Sequence, residues 1–127
     1  MKASTSPFEQ HEENADWLNR LRFYRDEIAI FKSRLEEIAH KNTGKEVLTQ
    51  LEHFQNQLQI QMENIDHIRH TVQMNEHEIS EEVRLNPMMI QQRKMEYHER
   101  EEDLVLTFEK TFDALRKELN RFLSKWM

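Results

Sequence analysis

Along the first third of the chain, Trp17, Leu21, Tyr24, Ile28, Phe31, Leu35 and Ile38 recur at alternating steps of four and three residues. Such a step keeps one stripe of a helix turned toward a neighbour, so the segment reads as an amphipathic helix with a heptad seam. Val47, Leu51, Phe54 and Leu58, then Ile65, Ile68, Val72 and Ile79, carry the pattern through the middle third. Val105, Phe108, Phe112, Leu115, Leu119, Phe122 and Trp126 carry it through the last. Upstream of Val105, the residues Ile90, Tyr97 and Leu104 fit only a shifted register, which predicts a stutter around residues 101–108.

Start signals divide these stripes into three helices. Ser6-Pro7-Phe8-Glu9 sets a serine at the N-cap, proline at the first helical position and glutamate at the third, where the two side chains satisfy orphan backbone donors. Thr43-Gly44-Lys45-Glu46 reads as a second capping box, and Asn86-Pro87 as a third start. Asn42 is placed to end the first helix in the left-handed conformation, and the residue before Pro87 ends the second. The expected architecture is all-α, an elongated antiparallel three-helix bundle running up, down and up with coiled-coil-like heptad packing. It forms one domain over residues 1–127, with helices at about 7–41, 44–85 and 87–126. A single helix kinked at Pro87 is the competing reading.

Folding the chain back twice pairs its residues by arithmetic, and the two ends of the bundle come out different. Near the first turn the seam is dense with Phe31, Leu35, Ile38, Phe54, Phe112, Phe122 and Trp126. Toward the second turn, seam positions pass to Asn14, Asn75, Glu82, His98 and Glu101, and Met74, Met88, Met89 and Met95 gather around them. The alignment sets Asn75 near His11, Glu12, His98 and Glu101. Buried polar groups must find partners, and in coiled coils they commonly fix register.

Composition narrows the functional classes. The single glycine and two prolines leave too little turn material for a β fold. Hydrophobic residues make up 37% and charged residues 33%, polar for a folded chain, yet the apolar ones are large and periodic, which speaks against disorder. The absence of cysteine removes disulfides, thiolate metal sites and thiol catalysis. No apolar run suggests a secretory leader or a membrane span, so the expected location is the cytoplasm, with no membrane partner. A net charge of −6 argues against nucleic acid as the main partner. Lys110, Arg116, Lys117, Arg121 and Lys125 make the last helix end basic, as the helix dipole favours.

Candidate chemistry lies in the histidines and acids. Glu63, His67 and His70 share one face of the second helix at spacings that suit a divalent metal, although a solvated polar face is the plainer reading. His11, His98 and Glu101 belong to the polar layer and are the other metal candidates. Glu37-x-x-His40 has the spacing of di-iron carboxylate bundles, but those use two such motifs, and the chain has no second. A single glycine rules out a phosphate-cradling loop, and the serines sit in no acyl-transfer motif. No enzyme is expected, and no cofactor.

The surplus apolar residues suggest a different role. Phe23 and Ile30 lie one heptad apart and off the seam, and Leu18, Ile60, Met62, Leu106 and Leu123 also flank or miss it. Aligned apolar residues outside a core suggest a second contact face. Methionine adapts its shape, so Met74, Met88, Met89 and Met95 are further partner-binding candidates, at a tip that can admit a partner helix. The expected function is a non-catalytic cytosolic interaction module, a scaffold, adaptor or regulator that binds a protein partner and can form a homodimer. The alternative is a metal-binding bundle of di-iron or hemerythrin-like type.

Overall fold

Helix α1 spans Pro7–Lys41, α2 spans Lys45–Leu85 and α3 spans Pro87–Trp126. This computed structural model describes the backbone over residues 7–85 and 87–127, and the side chains of residues 8–78, 80, 81, 84 and 98–127. The three helices pack on one another as an all-α bundle, with no strand among the described residues. At 1.5 Å per residue each rod is about 50–60 Å long.

Cross-helix contacts fix the directions. Residue numbers rise along α1 while those of its α2 partners fall, from Asn14 with Glu76 to Arg25 with Asp66 and Lys32 with Gln59. The same reversal relates α2 to α3, from Phe54 with Phe122 to Asn75 with Glu101. Helices α1 and α3 then run parallel, with Arg20 meeting Glu109 and Glu27 meeting Arg116. The order is up, down, up.

One buried stripe per helix forms the core, and it follows the three–four step throughout. On α1 the positions facing inward are Gln10, Asn14, Trp17, Leu21, Ile28, Phe31, Leu35 and Ile38, with Tyr24 half-buried between them. On α2, Gln61 fills the seam position between Leu58 and Ile65, and Asn75 continues the stripe beyond Val72. On α3, His98, Glu101, Val105 and Phe108 lead into the aromatic stretch. Each fully buried large apolar side chain contributes about 1.5–3 kcal/mol.

Three local expectations need correction. The register of α3 does not slip around residues 101–108: Leu104 is 40% exposed, and Glu101 takes the inward place. The stutter came from assuming that the apolar residue must be the buried one. No described residue has positive φ, so Asn42 does not enter the left-handed region. It ends α1 by giving both its backbone N–H and its Nδ2 to the Ile38 carbonyl, at 3.1 and 2.9 Å. The first backbone acceptor of α2 is the Gly44 carbonyl, 3.1 Å from the Leu48 nitrogen, so Gly44 rather than Thr43 is the N-cap. The caps expected at Ser6 and Asn86 lie outside the described residues.

Candidate functional site

The three stripes turn polar at the same height of the bundle. Asn14 from α1, Asn75 from α2, and His98 and Glu101 from α3 are all buried there, with Gln10 and Glu102 beside them. An apolar layer would be stable without further conditions, whereas each of these groups costs about 1–3 kcal/mol if it lacks a partner. Most of them have one. Asn75 donates Nδ2–H to Glu101 Oε2 at 3.2 Å, joining α2 to α3. Asn14 donates Nδ2–H to Glu76 Oε2 at 2.8 Å, and the imidazole of His11 contacts the other oxygen of the same carboxylate, joining α1 to α2. His98 places Nε2 3.0 Å from Glu13 Oε2, joining α3 to α1.

His98 is 0% exposed, and its ring stacks on Trp17 with centroids 4.7 Å apart. The contact closes the apolar core from above: Trp17 is the last large apolar residue of α1 before the layer. Among the described residues, His98 Nδ1 and Asn14 Oδ1 are buried without a hydrogen-bond partner in the protein.

Below the layer, the parallel pair α1 and α3 is laced by a ladder of polar contacts. Arg20 Nη1 lies 3.0 Å from Glu109 Oε1, and the Tyr24 hydroxyl donates to Glu109 Oε2 at 2.7 Å. Arg116 grips Glu27 with two donors, its Nη2 lying 2.8 Å from Oε1, and its guanidinium caps the rings of Tyr24 and Phe112. Burial, with the Glu109 bond and charge adding to it, pushes the Tyr24 hydroxyl up to about 12. The bond to Glu27 raises Arg116 against the opposing effect of burial.

Several residues singled out in the sequence meet in this layer, and several do not. Asn75 bonds Glu101 as the alignment placed it, whereas the α1 partner of His98 is Glu13 and not its exposed neighbour Glu12. Glu63, His67 and His70 stay on the solvent face of α2. Among the described residues no group of three or more histidine, cysteine or acid side chains is placed to hold a metal ion. His11, His40, His53, His67, His70 and His77 are exposed, as their outward heptad positions require. Phe23, Ile30 and Met74 are exposed, while Leu18, Met62 and Leu123 lean onto the core. The side chains of Glu82, Met88, Met89 and Met95 lie outside the described residues.

Sequence reasoning missed Glu13, Glu76 and the α1–α3 ladder. A signal was present: Glu13, Arg20 and Glu27 are seven apart, as are Glu102, Glu109 and Arg116. These are the flanking positions that pair across parallel helices. Gln61 was also overlooked, although the seam step lands on it. A groove of about 600 Å³ opens between α2 and α3 beside it, with Ile68, Leu104 and Phe108 as its apolar wall. Compared with known proteins, the chain matches no family model, no curated protein and no solved structure.

Proposed function

We propose that the protein is a non-catalytic interaction module of the cytosol, a scaffold, adaptor or regulator, that uses the outer face of α1 to meet a second copy of itself. The observation that carries this reading is the pair Phe23 and Ile30, 65% and 58% exposed, on an element whose seam is already filled. Each leaves a large apolar surface in water, although the Phe23 ring also sits edge-on to Tyr24 with centroids 6.3 Å apart. The two lie seven residues apart, so both project from one side of a straight helix. Ala29 is adjacent and also exposed, which lets a second backbone approach closely there. Leu106 and Ile60 show that single exposed apolar residues occur elsewhere, as in any protein; the heptad alignment of Phe23 with Ile30 sets these two apart.

Sedimentation of the purified chain across the micromolar range tests the reading. Concentration-dependent dimerisation is expected, and Phe23→Glu with Ile30→Glu should return the protein to monomer with its helicity and melting temperature preserved, since exposed substitutions typically change stability by less than about 0.5 kcal/mol. A wild-type chain that stays strictly monomeric at high micromolar concentration would remove the self-association.

A further inference from the structure

The groove between α2 and α3 joins two features that packing of the bundle leaves unexplained. Gln61 lines it, a side chain only 4% exposed whose Oε1 has no hydrogen-bond partner among the protein's own groups. Leu104 lines it too, 40% exposed beside the buried Val105 and Phe108. A stranded buried acceptor costs stability, and a leucine at position 61 would avoid that cost. A molecule with an apolar body and one hydrogen-bond donor would relieve both defects at once. Small-molecule sites are commonly built this way, from apolar walls and a few placed polar groups.

The charge around the groove narrows the class of ligand. The other two seams of the bundle are flanked by ion pairs, Arg25 with Asp66 between α1 and α2, and Arg20 with Glu109 between α1 and α3. Such pairs are the usual occupants of flanking positions. At the height of the groove, the α2–α3 seam is flanked instead by Asn64 on α2 and by Leu104 and Thr111 on α3. Arg100 and Asp103, exposed on α3, carry opposite signs and cancel, and the remaining ionisable group is the imidazole of His67. Nothing in that lining favours an ion over a neutral molecule.

Size agrees with a small molecule, since about 600 Å³ falls within the range of about 300–1,000 Å³ common for such sites. The terminal amide torsion of glutamine is soft, so Oε1 can turn to meet a donor that enters from the groove.

We infer that the groove binds an uncharged, largely apolar small molecule that carries a hydrogen-bond donor. Gln61 Oε1 accepts from that donor, and Ile68, Leu104 and Phe108 form the apolar bed. The site is independent of self-association through α1, because its described lining comes from α2 and α3.

Indole and 1-methylindole test the site on the full chain, since they share an apolar body and differ in one N–H donor. Amide chemical shifts over residues 61–68 and 103–111 should move saturably with indole. 1-Methylindole should bind about three- to tenfold more weakly, the worth of one hydrogen bond. Gln61→Leu removes the acceptor at nearly constant volume, and it should bring the two affinities together. Its melting temperature should equal or exceed that of wild type, which separates lost discrimination from lost fold. Leu104→Gln, at an exposed position, should weaken both probes alike, and Phe23→Glu should weaken neither. No saturable shift in those two segments, equal affinity of wild type for both probes, or a preference for indole that survives Gln61→Leu would each overturn the site.

Discussion

Gln61 occupies a core step on α2 between Leu58 and Ile65, and its buried Oε1 has no hydrogen-bond partner among the protein's own groups. Nothing about its backbone requires an amide. Leucine matches it closely in volume and has no polar atom to strand, so Gln61→Leu should raise stability by about 1–2 kcal/mol in chemical denaturation. A loss of stability would show that the amide has a partner in solution. Tyr24 makes the opposite case, because its hydroxyl is satisfied by Glu109. Tyr24→Phe should cost about 1 kcal/mol. With its folded pKa pushed up to about 12, the tyrosine contributes stability below its ordinary titration range and loses it as pH rises through the higher value. Alkaline unfolding should therefore begin earlier for wild type than for Tyr24→Phe once each is referred to its own neutral-pH stability. Identities of this kind were only partly legible in the sequence. Asn14, Asn75, His98 and Glu101 were assigned to the seam correctly because the step required a residue there. Gln61 was passed over, and Leu104 was wrongly put in, because apolarity was allowed to override the step.

Helices α1 and α3 meet through long side chains, whereas α2 packs closely with both. Arg116 is the centre of that lateral contact, since its guanidinium holds Glu27 with two bonds while its stem and face cover Tyr24 and Phe112. Arg116→Met retains part of the cover and deletes the charge. A double-mutant cycle with Glu27→Gln should return a coupling of about 1 kcal/mol, above the median for exposed pairs because both side chains are largely shielded. Along each helix the stability should also be uneven. Amide exchange should be slow over residues 47–58 and 108–122, where the layers are apolar and aromatic, and faster over 71–78 and 98–102 beside the polar layer. Uniform protection would contradict a loosely held half. The elements themselves were plain in the sequence because proline and capping residues mark their starts and the apolar step persists between them. The α1–α3 ladder was not, because charged residues at flanking positions occur on any solvated helix and become informative only once the helices are known to be neighbours.

At the scale of the molecule, the account rests on two reversals of direction, after Lys41 and after Leu85, that bring three stripes together. The polar layer and the exposed face of α1 both take their meaning from that arrangement. The stripes are buried between the helices, and among the described residues no helix is long and apolar enough to cross a membrane. The chain contains no cysteine, so two introduced ones can be spin-labelled without competing sites. His53→Cys on α2 and Arg121→Cys on α3 are both exposed and lie near the same end of the bundle. Packed helices have axes about 8–10 Å apart, so a dipolar distance measurement between the two labels should give a single population below about 30 Å. A continuous helix through Pro87 would set them about 100 Å apart, and a distance of that order would contradict the fold and everything argued from it.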